Sequence, residues 1–179
     1  MHESRIQLLI IMKGSAEMKI AVMSDSHDHL ENVEKTVALA ADMGAEVLLH
    51  CGDICSPFVV DRLAPFNGPV HLVLGNNDGD PMTISRIAEK FPNVTVHHHT
   101  GVIETDHGLV AFTHYPEHGK GLAATGEYAA VFSGHTHMRM SEEVNGTPHV
   151  NPGEVMGLLE TAGFVVFDLV SGEWDAVEI

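Results

Sequence analysis

Short apolar runs that stop abruptly at an acidic, amide or imidazole residue constrain this chain more than any other feature. Lys19-Ile-Ala-Val-Met-Ser24 halts at Asp25 and His27, Glu46-Val-Leu-Leu-His50 runs into Cys51-Gly52-Asp53, and Val70-His-Leu-Val-Leu74 into Gly75-Asn76-Asn77-Asp78. Between the first two lies an apolar series at Leu30, Val33, Val37, Ala40 and Ala41, closed by Gly44, and this spacing predicts an amphipathic helix. Pro57 to Phe66 and Pro81 to Phe91 predict two further helices, the first with Pro in its opening turn. Apolar strands alternating with helices make a β-α-β rhythm, hence a sheet buried on both faces. In such sheets functional groups gather beyond the carboxyl ends of the strands.

After Phe91 the texture changes to short strands, Val94 to His98, Val102 to Glu104 and Leu109 to Thr113, which predicts that a second sheet begins there. Two further strand ends follow the same rule. Leu109 to Thr113 ends in His114, and Ala129-Ala-Val-Phe132 leads into Ser133-Gly134-His135-Thr-His137. Glu117 to Glu127 is glycine-rich and polar, and reads as a loop able to cover a pocket, with His118 inside it. Turns are expected at Asn145-Gly146, Asn151-Pro152-Gly153 and Ser171-Gly172.

The 179 residues suit a single domain over 18–179, preceded by an N-terminal extension over 1–17 that is either disordered or a packing tail. Its run Ile6 to Met12 is the segment expected to meet a partner if the protein is a homo-oligomer. With 9 basic against 25 acidic residues the formal charge is -16, which repels nucleic-acid backbones unless bound cations neutralise a local patch, so tight duplex binding is not expected. No stretch approaches the roughly 18 apolar residues of a membrane span. Cys51 and Cys55 are the sole cysteines, in a spacing that is neither a redox C-x-x-C nor half a zinc site. A cytoplasmic location is expected, with Cys51 acting as a small apolar residue.

Histidine is over-represented, with 14 in the chain, and position decides which of them matter. Consecutive side chains of His97-His98-His99 would face opposite ways on a strand and could not chelate together, and His107 sits in a turn. By contrast, Asp25, His27, Asp53, Asn76, His114, His135 and His137 all follow apolar strands. Alone, Asp25-x-His27 could be a turn in which Asp25 or Ser26 caps the next helix. Together the seven side chains suffice for two cations sharing a carboxylate, with positions left for water and substrate. Gly52, Gly75 and Gly134 let the chain turn beside them.

Over residues 19 to about 153 these motifs resemble the calcineurin-like metallophosphoesterase superfamily, whose pattern runs D-x-H, G-D, G-N-H-D/E, a later His, then G-H-x-H. Among its members the chain is similar to the small stand-alone microbial phosphodiesterases, which also carry Asn-Pro-Gly after the last motif. The resemblance implies an α/β fold, a four-layer α/β/β/α sandwich of two mixed sheets flanked by helices. It also implies that Asp25, His27 and His137 hold one metal, that Asn76, His114 and His135 hold the other, and that Asp53 bridges them. Manganese is the first expectation for both ions, with nickel, iron, cobalt and zinc as alternatives. A hydroxide bridging the metals would then attack a small or nucleotide-like phosphodiester in line.

Asn77 and Asp78 fall at the catalytic positions of the third motif, and Asn76, Asn77 and His118 are candidate substrate contacts. Asn77 is a departure, because relatives place there a histidine that touches phosphate and protonates the leaving group. An amide hydrogen-bonds but gives up no proton. A second departure is Glu154, where relatives have Ser, read as a packing change. Alternative readings are a phosphomonoesterase on the same site, a protein-interaction scaffold on this fold, and a metal-storing or sensing protein.

Overall fold

The computed structural model describes residues 17–179. The expected extension up to residue 16, including Ile6 to Met12, lies outside the described residues. The first half alternates as the apolar runs require: β1 (Lys19–Met23), α1 (Leu30–Asp42), β2 (Val47–His50), α2 (Phe58–Leu63), β3 (Val70–Leu72), α3 (Pro81–Ala88) and β4 (Val94–Val96). The second half continues with β5 (Thr100–Thr105), β6 (Gly108–Thr113), α4 (Pro116–Ala123), β7 (Ala130–Phe132), β8 (Arg139–Val144), β9 (Thr147–Pro152), β10 (Gly163–Asp168) and β11 (Trp174–Glu178). The His29 ring accepts from the Asn32 N–H at the start of α1, while Asp80 accepts from the Thr83 N–H ahead of Pro81 in α3. Both caps satisfy amides that a helix start leaves without partners.

One sheet has the order β11-β10-β1-β2-β3-β4 and the other β5-β6-β7-β9-β8. In the first, β1 to β4 are parallel and β10 returns antiparallel on β1; in the second, β6, β7 and β9 are parallel. All these parallel strands end on one edge of the molecule, which therefore receives the polar residues that terminate them.

The period-two alternation of strand side chains builds the layers. From β1, Ile20 and Val22 enter a core between the sheets with Phe112, Phe132, Val150 and Phe167. Ala21 and Met23 face the other way, onto Val33, Val60, Leu63 and Ile84 of α1 to α3. A smaller cluster of Ala111, Val131 and Ala123 lies under α4. The result is the expected α/β/β/α sandwich. Phe132 and Phe167 meet edge to face across the seam with ring centroids 5.4 Å apart, and truncating either would cost roughly 3–5 kcal/mol.

Two expectations are corrected. Val94–Val96 does not open the second sheet; it pairs parallel with β3, Val70 opposite Val94, because it follows a crossover helix and so extends the first sheet. The glycine-rich stretch after His114 is not a loop but α4. Its Gly119 reflects close approach, since a Cβ there would stand 2.5 Å from Nε2 of His149 on the sheet below.

Candidate metal centre

Five strand ends from both sheets supply the site, and the loops between them are held in backbone conformations that side chains other than glycine rarely adopt. Asp25, His27, Asp53, His135 and His137 all have positive φ, between 41° and 72°. Such residues cost of order 1–3 kcal/mol each and persist where surrounding contacts over-determine them. Those contacts are present: Asp25 N–H donates to Gly52 O at 3.1 Å, His27 N–H to Asp53 O at 3.0 Å, and Gly134 N–H to His114 O at 3.0 Å.

Of the three glycines, Gly52 alone needs its conformational freedom, with φ +99° and a Cβ that would meet the His114 ring at 2.7 Å. Gly75 and Gly134 are needed for space, because a Cβ would lie 2.1 Å from Asp53 Oδ1 in one case and 1.9 Å from Ser24 Oγ in the other.

At the centre stands Asp25, fully buried, with Oδ2 accepting from the His135 N–H at 3.0 Å and Oδ1 without a hydrogen-bond partner among the described residues. Desolvation pushes its carboxyl up from the ordinary range, opposed by the Ser24 hydroxyl and by nearby imidazoles. Oδ1 faces His137 Nε2 at 3.4 Å and His27 Nε2 at 3.8 Å, and these two nitrogens lie 3.3 Å apart. Asp53, also buried, lies 3.6 Å from His27 Nε2 through Oδ2 and 3.5 Å from His114 Nε2 through Oδ1.

His114 donates its Nδ1–H to Cys51 O at 2.8 Å, since a carbonyl can only accept. Its Nε2 is therefore a lone pair in the neutral ring, yet it meets Asn76 Oδ1 at 3.0 Å and His135 Nδ1 at 3.2 Å. An amide oxygen facing that lone pair calls for a positive charge between them, and a buried carboxylate oxygen with no donor makes the same demand. The donor set fits divalent cations. Two groups, Asp25/His27/His137 and Asp25/Asp53/His114, have ligand atoms within 4.8 Å of one another and could each hold a metal ion.

The third motif packs against Asp53 and the loop that carries it. Asn77 is exposed, but its backbone N–H and its Nδ2 donate to Asp53 Oδ1 and Oδ2 at 2.8 and 2.7 Å. Asp78 turns inward, accepting from the N–H groups of Asp53 at 3.2 Å, Cys55 at 2.7 Å and Gly75 at 2.6 Å. Burial pushes its carboxyl up while the Gly75 and Cys55 amides pull it down. In this geometry Asp78 clamps two ligand-bearing loops together. His118, exposed on the first turn of α4, meets the Tyr115 ring at 5.6 Å, and Tyr115 in turn packs on His114 and His135. His97 is half-buried against His71 and Phe112, apart from the cluster.

Three supporting residues escaped the sequence. His50 is wholly buried, with Nδ1 accepting the Gly52 N–H at 3.2 Å and Nε2 on Ser26 Oγ at 3.0 Å; burial lowers its pKa to about 3. Cys55 Sγ lies 3.3 Å from His27 Nδ1, and burial pushes its thiol up to about 12. Glu154 is buried with Oε2 at 2.5 Å from His137 Nδ1, while Oε1 accepts from the amides of Leu159 and Glu160. Only Glu154 carries a signal in the sequence, as a departure from the resembled pattern, and its contact with His137 goes beyond the packing change expected there.

Such a fold, with carboxylates and imidazoles converging at the seam of two sheets, defines a metal-binding phosphoesterase architecture. The chain belongs to the calcineurin-like phosphoesterase superfamily, whose domain model matches residues 18–172. It is 34% identical over 145 residues to Phosphodiesterase MJ0936 of Methanocaldococcus jannaschii, covering 79% of this chain and 87% of the relative. A solved structure described as a novel archaeal phosphodiesterase superposes with TM-score 0.83 at 30% identity, over 90% of this chain and all of the other. Vacuolar protein sorting 29 from Cryptosporidium parvum shares the fold, with TM-score 0.62 at 18% identity over 91% of this chain and 97% of that one. Among the described residues no helix is long and apolar enough to cross a membrane.

Proposed function

We propose that residues 18–179 act as one metallophosphoesterase domain that hydrolyses small or nucleotide-like phosphodiesters. The carrying observation is the unpartnered Asp25 Oδ1 facing the Nε2 of His137, whose Nδ1 is held by Glu154. Asp25, His27 and His137 would hold one divalent cation and Asn76, His114 and His135 the other, with Asp53 shared. When bound, such ions lower the pKa of water and clamp phosphoryl oxygens during in-line displacement. Mixed nitrogen and oxygen donors suit manganese first, and also nickel, iron, cobalt or zinc.

The chain's own groups set what it can accept. Asn76 and Asn77 stand exposed at the rim, where their amides can hydrogen-bond phosphate oxygens once released from His114 and Asp53. His118 lies one aromatic ring further out and is the outer substrate contact. No imidazolium in the third motif can protonate a leaving group, so diesters with good leaving groups are favoured. The charge of -16 disfavours duplex nucleic acid, and the unbridged Cys51 and Cys55 accord with the cytoplasm.

The test is hydrolysis of bis-p-nitrophenyl phosphate and p-nitrophenyl phosphate by chelated protein resupplied with Mn²⁺, beside Asp53→Asn. Metal-dependent diester turnover that Asp53→Asn reduces to background is expected. Turnover of the monoester alone would replace this reading with a phosphomonoesterase, and no metal-dependent turnover of either would refute it.

A further inference from the structure

Glu154 is an expensive residue for its place. Its side chain is fully buried at the end of β9, where a carboxylate is costly unless every oxygen is used. Oε1 accepts two amides, from Leu159 and from Glu160 at 2.8 Å, and so ties down the segment before β10. A neutral acceptor would do that much. The charge is explained by Oε2, which takes the Nδ1–H of His137 at 2.5 Å. With that proton fixed on Nδ1, His137 Nε2 must present a lone pair toward Asp25 Oδ1 and His27 Nε2. A carboxylate behind an imidazole also raises the basicity of the nitrogen on the far side. Two of the other imidazoles have neutral backing: His27 Nδ1 meets Cys55 Sγ, and His114 Nδ1 meets Cys51 O.

We infer that Glu154 is a positioning residue that makes the Asp25/His27/His137 set the tighter and first-filled of two cation positions. The inference rests on the dinuclear reading proposed above. It has a specific chemical consequence for Glu154→Gln. If the amide turned its N–H₂ to His137, the imidazole proton would move to Nε2 and block the cation. If it turned its oxygen there, the N–H₂ would face two donor amides.

Calorimetric titration of the chelated full chain with Mn²⁺ alone tests it. Wild type should take up two ions in distinct phases, and Glu154→Gln should weaken the tight phase by about 10- to 100-fold while leaving the other within about 3-fold. His137→Ala is the reference and should lose the tight phase. If His137→Ala loses that phase and Glu154→Gln keeps it, or if Glu154→Gln weakens both phases alike, the inference is overturned and the dinuclear reading stands. Should wild type bind no Mn²⁺, or His137→Ala titrate as wild type does, the dinuclear reading falls and takes the inference with it. Nitrogen NMR of His137 in the chelated wild type gives a check independent of any variant's folding. The Nδ1–H tautomer is expected, and finding Nε2–H would overturn the inference.

Discussion

His50 should make the metal-free protein acid-sensitive in a way that one substitution removes. Its ring is wholly buried and already has both nitrogens engaged, Nδ1 by the Gly52 amide and Nε2 by Ser26 Oγ. A histidine in the unfolded chain takes up its proton near 6.5, whereas burial holds His50 down to about 3. The folded pKa is depressed, so the contribution to stability is complete above pH 6.5 and is lost as pH falls from there toward 3. At about 1.4 kcal/mol for each tenfold change in proton activity, the loss is about 2 kcal/mol between pH 6.5 and 5 and on the order of 5 kcal/mol at pH 3. Urea unfolding of chelated wild type and His50→Gln at steps from pH 7.5 to 5 isolates it, because the other titrating groups are common to both. Glutamine removes the titrating ring and keeps an amide donor near Ser26. The gap between the two proteins should narrow by about 2 kcal/mol across that window. A gap that stays constant with pH would refute the reasoning.

Asn77→His should restore a proton donor at the third motif, raising kcat/KM on diesters with poor alkoxide leaving groups by on the order of 10²-fold while changing bis-p-nitrophenyl phosphate little; equal effects on both would contradict the leaving-group argument. Asp25→Asn removes a buried, partly unpartnered charge, so the metal-free chain should become more stable by about 1 kcal/mol in denaturant melts. The same variant should no longer be stabilised by added Mn²⁺, and a loss of metal-free stability would count against the account of Oδ1.

The strand ends were legible because the signal is local: an apolar run such as Ile20 to Met23 must be buried, and the polar residue after it must lie at an edge. The membership of β4 was not, since Val94-Thr95-Val96 reads alike in either sheet and only its parallel pairing beside β3 decides. The helix α4 was hidden by two glycines, one of which, Gly119, has its cause in the His149 ring 30 residues away in the chain. Supporting groups were the least visible. Glu154 reaches His137 only because β9 lies beside β7, and His50 looks like any strand residue until both ring nitrogens are seen to be engaged.

The seam position of the centre gives the cations a second, mechanical office. Each proposed ligand set draws on both sheets: Asp25 and His27 from the first with His137 from the second, Asp53 and Asn76 with His114 and His135. A bound ion would thus rivet two layers that otherwise meet through an apolar core and a few hydrogen bonds such as His135 N–H to Asp25 and His114 to Cys51 O, and neither the front nor the back half of the chain could hold one alone. Chelation should therefore loosen this rim before any other part of the sandwich, while the apolar core behind it keeps the two sheets together.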